Sequence, residues 1–373
     1  MKSNNMSKIQ ISKAKRIRCT PYTSRIEKMG LSSYTVYNKT LLASGFADSL
    51  EETYYHLKNY VQIWDVSCQR VIELSGKDSA ELTQLMTCRD LSNSKVGELY
   101  YSPIIDDQAR IINDPVILKL NQEKFWVSIA DSDFLLYARG LAIGKNYNVK
   151  ITELDINTFA IQGKKSSELL EKVFGNSITE LKFFNFEYFE FRNAKHLISR
   201  SGWSKKTGVE VYSFGNTGLD LFDYLFEIGK EFNLKIGCPH LIERLESGLL
   251  SLGNDFDYCE NPLEVGLEKF VDLDNDINFL GKNKLIDIKN EGIQKKLMGV
   301  KINADKINLF EAIDIDIDGK KVGELRSAVF HPELKCVIGN AMLKKPFFET
   351  GTSFNIKIDN VNRTGVLCNI PFF

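Results

Sequence analysis

Two acidic side chains stand in apolar surroundings, and their neighbours suggest what they could do. Asp114 lies between Ile111-Ile112-Asn113 and Pro115-Val116-Ile117. It reads either as a carboxylate at the mouth of an apolar strand or as a turn aspartate ahead of a proline. Glu210 lies between Val209 and Val211, so strand alternation puts it on the face opposite both valines and on the same face as Tyr212. That pattern suits a solvent-facing glutamate beside an amphipathic tyrosine. It also suits a carboxylate and a phenol lining a pocket for a flat, nitrogen-rich ring, with Trp203 closing the pocket from across the basic turn in "SRSGWSKKTGVEVY". Arg244 and Glu246 share one amphipathic segment, where a surface ion pair is the plain account.

The missing motifs are equally informative. There is no phosphate-cradling GxGxxG or Walker loop, no GxSxG elbow, no CxxC and no HExxH. The seven cysteines are odd in number and scattered, and the four histidines show no ligand spacing, so no metal site or disulfide framework is expected. That usage fits a reducing, cytoplasmic setting. With 48 basic and 49 acidic residues the net charge is -1, which gives no general attraction to nucleic acid or to an anionic membrane. No apolar run reaches the roughly 20 residues that span a bilayer. Residues 1–20 are basic but carry no apolar core for a secretory signal, and read as a mobile arm.

The elements that must position these side chains follow from periodicity. At 373 residues, 43% hydrophobic and 26% charged, the chain is soluble-type and long enough for two or three domains. Asp78 with Glu81 predicts a capping-box start to a helix that buries Leu82, Leu85 and Met86. "PVILKL" and "FWVSI" predict a hairpin with a four-residue loop, and "HLISRSGW" with "GVEVYSF" a second one. "SSELLEKVFG" (166–175), "GLDLFDYLFEIGKEF" (218–232) and "PHLIERLESGLLSLG" (239–253) predict amphipathic helices. A polar, lysine-rich connector at 283–296 precedes short strands with turn signals, which predict a small β-barrel or sandwich.

Taken in order, "IWDVS", "ELSGKDSAELTQLMTCRDLS", "RIINDPVIL", "SRSGWSKKTGVEVY", "LIERLESGLLSLGND", "NPLEVGLEKFVDLD" and "VGELRSAVFHPELKCVIGNAML" resemble the glycine-cleavage T-protein (aminomethyltransferase) superfamily over nearly the whole chain. "YTVYN", "QLMTCRDLS", "KHLISRSGWSK" and "GNDFD" resemble its tetrahydrofolate-dependent branch that demethylates dimethylsulfoniopropionate. Leu252 departs from the pattern, since relatives commonly carry an aromatic before Gly-Asn-Asp. The resemblance implies an α+β, three-domain cloverleaf: two interleaved α+β subdomains over 1–285 and a C-terminal β-barrel over 286–373. It implies tetrahydrofolate as co-substrate, a small sulfonium substrate, and a homodimer.

The resemblance also implies roles. Asp114 would face the N5/N10 edge of the folate, and Glu210 would hydrogen-bond the pterin. Tyr212 would reach the donor site, with Asp114 and Tyr212 as the catalytic pair. Tyr101 and Trp203 would wall the pocket, Val127 and Ser128 would offer backbone contacts, and Arg244 would meet the folate's glutamate carboxylate. A sulfonium leaves as a neutral thioether and needs no general acid, so alignment would dominate the rate. Three other readings stand beside this one: a T-protein-like aminomethyltransferase, a demethylase of another sulfonium or betaine, and a folate-binding module without transfer.

Overall fold

A computed structural model describes residues 14–205, 207–309 and 311–372. Two antiparallel-dominated sheets and a closed barrel form its frame. The first sheet has five strands in the spatial order Lys150–Glu153, Val71–Ser75, Lys124–Ser128, Val116–Asn121 and Leu99–Tyr101. The second has six: Phe186–Phe191, Ala194–Ser199, Gly208–Phe214, Ile156–Gln162, Gln62–Asp65 and Lys235–Gly237, with only the last pair parallel.

Alternation along these strands decides what lies between the sheets. In the second sheet Val209 and Val211 share a face with Phe159, Ile161, Ile63 and Ile198, and pack against helices Ser166–Phe174 and Leu219–Ile228. In the first sheet Ile72, Leu74, Ile117, Phe125 and Val127 pack against helices Ser79–Met86 and Phe134–Gly144. The opposite faces then meet each other. Val71, Leu99, Leu118 and Trp126 from one sheet bury against Leu197 and Tyr212 from the other. Each such apolar side chain contributes about 1.5–3 kcal/mol when fully buried. A seam between the two sheets is the result, and its lining is read directly from strand register.

The barrel closes through Lys295–Ile302, Cys336–Lys344, Lys320–His331, Ile313–Ile317, Ser353–Ile358 and Val361–Cys368. It is fixed to the rest by buried charge. Glu260, with a fully buried side chain, pairs with Lys295 and Arg326 of the barrel. Asp255 is also fully buried; it pairs with Arg244 and accepts the Asn340 amide at 3.0 Å, while Arg244 reaches Ser327 Oγ at 3.1 Å.

Several expectations are corrected. The helix expected over 239–253 is only Leu241–Glu246, because the chain turns at Gly248 with φ +67°. Its apolar residues beyond that point are loop residues: Leu252 is buried and Leu250 packs beside it in the core below the barrel. The capping box at Asp78 and Glu81 does not form. Asp78 accepts the Asn148 amide at 2.7 Å instead, and Glu81 accepts the Tyr147 hydroxyl at 2.6 Å. A complete capping box forms at Ser49 and Glu52. The hairpin of "PVILKL" and "FWVSI" turns through Gln122-Glu123 rather than a four-residue loop.

The connector at 283–296 contains a helix, Lys282–Glu291, whose one fully buried side chain is Leu285; a boundary after residue 285 runs through it. Of the arm expected at 1–20, residues 1–13 lie outside the described residues. The remainder is docked: Arg18 pairs in the backbone with Thr40, and Thr20 donates to buried Asp65 at 2.6 Å. Among the described residues no helix is long and apolar enough to cross a membrane.

Removing one member of a buried ion pair strands the other charge, at a cost of about 3–5 kcal/mol. Asp255→Ala is therefore expected to lower unfolding stability by about that amount, measured in guanidinium. A loss within error would mean that the Arg244 pair does not hold the barrel.

Candidate active site in the inter-sheet seam

Register places the key side chains on two facing rows. In the first sheet Tyr101, Val116, Ser128 and Val71 lie opposite one another on the seam face. In the second, Trp64, Ala160, Glu210 and Ser199 form one row, with Tyr212 next along the same face.

Asp114 follows the strand Ile111–Asn113, and its carboxylate accepts the Tyr101 hydroxyl at 2.9 Å. Phe270 stands edge-on to the Tyr101 ring at 4.7 Å. Asparagines fix this corner. Asn113 accepts the Ala130 amide at 3.0 Å and donates to Ser132 Oγ at 2.6 Å. Asn38 donates to the Cys68, Ile129 and Ala130 carbonyls. Asn38 and Lys39 form the tip of the hairpin Ser33–Tyr37/Thr40–Gly45, both with positive φ. The neighbouring Tyr37 is thereby brought close enough to feel the Asp114 charge.

Burial raises the Asp114 carboxyl to about 7, with the charge of Asp255 adding to it and the Tyr101 hydrogen bond opposing it. Burial and then the Asp114 charge push the Tyr101 hydroxyl well above its usual range.

Glu210 is 5% exposed, and burial raises its carboxyl while the Ser201 hydroxyl, which donates to it, pulls the other way. Ser201 and Ser199 hydroxyls lie 2.6 Å apart. The Tyr212 hydroxyl is buried and makes no hydrogen bond of good geometry, although Glu210, Ser128 and Ser199 surround it. Trp203 is half-buried against Leu57, Trp64, Val66 and Ala160. The turn before it needs glycine: Gly202 has φ +151°, and a Cβ there would overlap the Gln162 amide.

Residues 23–275 match the sequence profile of the GCVT N-terminal domain, and residues 295–373 match the glycine cleavage T-protein C-terminal barrel domain. The chain belongs to the glycine-cleavage T-protein family. It is 35% identical over 345 residues, 92% of this chain and 94% of the other, to the dimethylsulfoniopropionate demethylase DmdA of Ruegeria pomeroyi. An aminomethyltransferase of Thermoanaerobacter pseudethanolicus is 28% identical over 91% of this chain and 95% of its own length. The fold is that of the glycine cleavage system aminomethyltransferase T of Bartonella henselae, with TM-score 0.86, 19% identity, and coverage of 96% and 98% of the two chains.

Within this family member, Ser128, Glu210 and Tyr212 meet in the seam, with Trp203 beside Trp64 on the second sheet; Asp114 and Tyr101 form a separate pair at the end of the first sheet, joined to that row through the register of Tyr101 with Val116 and Val116 with Ser128. Two expected ligand contacts fall outside it. Val127 points into the core under helices Ser79–Met86 and Phe134–Gly144, and pairs with Ile72 and Ile117 on either side, so its backbone faces those strands. Arg244 is buried and committed to Asp255, Ser327 and the Leu249 carbonyl, rather than free for a ligand carboxylate or exposed in a surface pair. Its centre also lies 5.9 Å from the Trp203 ring, so it backs the pocket wall.

Tyr37, Asn38, Asn113, Asp255 and Phe270 were not singled out. The Asn-Lys pair between two β-rich runs is the one local signal for the hairpin tip.

An acid raised by burial favours the folded state most when protonated. The contribution of Asp114 is thus full at low pH and is lost as pH rises from about 4 to about 7. Asp114→Asn should therefore melt higher than the wild type at pH 8 and show little difference at pH 4, by calorimetry. A variant that melts lower at pH 8 would contradict the burial of that charge.

Proposed function

We propose that the chain transfers a methyl group from dimethylsulfoniopropionate to N5 of tetrahydrofolate, yielding methylmercaptopropionate and 5-methyltetrahydrofolate. The observation that carries this reading is the 35% identity across nearly the full length of a dimethylsulfoniopropionate demethylase. Two buried polar groups side by side on one strand support the folate part. The Glu210 carboxylate can accept two parallel N–H bonds from a pterin edge, a strong charge-assisted arrangement. The Tyr212 hydroxyl beside it, surrounded by Glu210, Ser128 and Ser199 but with no hydrogen bond of good geometry to them, can turn to a polar ligand atom.

The reduced folate supplies a secondary amine whose lone pair takes the methyl, while the C–S bonding pair stays on sulfur and the amine proton is lost. The protein's task is placement. Glu210 sets the orientation of the ring, and Ser128 and Tyr212 lie on facing rows that hold it between the sheets. Asp114 stands where positive charge develops; with its carboxyl near 7 it is largely ionised at slightly alkaline pH and can take the proton through water. Tyr101 keeps Asp114 fixed by its hydrogen bond. The half-buried Trp203 ring favours an onium methyl by about 0.5–2 kcal/mol through cation–π contact. We place this enzyme in the cytoplasm, acting on two small molecules and forming a homodimer.

Purified protein with tetrahydrofolate and dimethylsulfoniopropionate should form 5-methyltetrahydrofolate. Ammonia release from an aminomethyl-lipoyl carrier, with no turnover of the sulfonium, would favour an aminomethyltransferase instead. Asp114→Asn should lower kcat at pH 8 by roughly 10²-fold, as expected for a positioned charge, and should abolish the rise of rate through pH 7. Glu210→Gln should weaken folate binding more than it raises the KM for the sulfonium; equal losses would assign Glu210 a structural role. Tyr212→Phe should raise the sulfonium KM, and an unchanged KM removes it from the donor site.

A further inference from the structure

Among the described residues Arg89, a half-buried cation, leaves most of its hydrogen-bonding capacity unspent. It lies in the loop after helix Ser79–Met86, and its Nη1 donates to the Tyr101 carbonyl at 3.2 Å. Its guanidinium centre is 5.5 Å from the Tyr100 ring centroid and 5.9 Å from that of Phe270. A guanidinium has five N–H donors in a fixed fork that matches a carboxylate. Arg70, Arg244 and Arg326, also largely buried, each hold an acid: Glu153, Asp255 and Glu260. Arg89 makes no ion pair among the described residues.

The loop that presents it is firmly held. Gln84 donates to the Arg89 carbonyl at 3.0 Å, the Asp90 amide donates to Asp272 at 2.8 Å, and Asn275 donates to Asp90 at 3.0 Å.

We propose that Arg89 anchors the carboxylate of the folate's glutamate tail. This rests on the folate reading above. Tyr101 provides the ruler: its hydroxyl meets Asp114 and its carbonyl meets Arg89, so the cation stands a tyrosine's length from the reacting edge. The sulfonium donor separates its sulfur from its own carboxylate by only two methylenes, too short to cover that span with its methyl beside Asp114. The aminobenzoyl group of a folate is long enough. Phe270, edge-on to Tyr101 and under the guanidinium, offers an apolar wall for that ring. Leu99–Tyr101 is the edge strand of its sheet; the segment along its free side bonds at Gly97 and Leu99, through Phe186 and Phe184, while the Tyr101 carbonyl is left to Arg89.

The test is equilibrium binding, followed by fluorescence without donor, of tetrahydrofolate and of tetrahydropteroate, which lacks the glutamate. Wild type, Arg89→Gln and Arg89→Lys are compared, with melting curves alongside. Arg89→Gln should lose about 10- to 100-fold in tetrahydrofolate affinity, the span of one charged hydrogen-bonding contact, while tetrahydropteroate affinity stays within roughly two-fold. Arg89→Lys should recover part of the loss, since it keeps the charge and not the fork. Equal losses for both ligands would make Arg89 a packing residue and overturn the proposal. So would unchanged tetrahydrofolate affinity, or an effect confined to the sulfonium KM. No folate binding by the wild type would defeat the folate reading first; bound folate without sulfonium turnover would leave the anchor intact and remove only the donor.

Discussion

Two carboxylates in apolar surroundings, Glu210 buried between the sheets and Asp114 half-buried beside Tyr101, are the constraint that the rest of this molecule serves. A buried acid is costly unless its neighbours stabilise the charge or it keeps its proton. Asp114 has one strong partner, the Tyr101 hydroxyl, and Glu210 has Ser201. Among the described residues neither has a cation partner, and burial raises both carboxyls, Asp114 to about 7. A rigid frame is needed to keep water and counter-charges from relieving that strain. The frame is two amphipathic sheets whose outer faces are sealed by helices, leaving the inner faces to define the seam.

Strand alternation made part of this legible before any coordinates. Glu210 and Tyr212 share a face because the side-chain period of a strand is two, and that face is the seam. The apolar residues on both sides of Asp114 marked it as a carboxylate at the mouth of an apolar strand or a turn aspartate, and it stands just past the strand Ile111–Asn113, half-buried. Alternation does not say what stands opposite, however, so Ser201 under Glu210 and the Asn38 hairpin beside Asp114 could not be read. Val127 shows the limit of proximity in sequence: one residue from Ser128, it faces the other way.

Helical periodicity misled where apolar residues were buried for another reason. Leu250 and Leu252 extend the pattern of Leu241–Glu246, yet they are loop residues packed under the barrel. The lysine-rich stretch read as a polar connector because only Leu285 of its helix is fully buried. Arg244 looked like a surface residue because its partner, Asp255, lies beyond two turns at Gly248 and Gly253, and the loop between has no periodic signal. The barrel, by contrast, was legible, because short alternating strands joined by polar turns have few other ways to bury one face.

Asp255 ties these levels together. Its carboxylate pairs with Arg244, accepts the Ser251 amide at 2.8 Å and accepts the Asn340 amide from the barrel, so it is structural by every contact it makes. Its charge nonetheless reaches Asp114 and adds to the raising of that carboxyl. Docking of the barrel and the protonation of the seam acid are therefore not independent. Asp255 is held by Ser251 and Arg244 on its own side and by Asn340 of the barrel, so a carboxylate that seats the barrel is also one of the charges acting on Asp114.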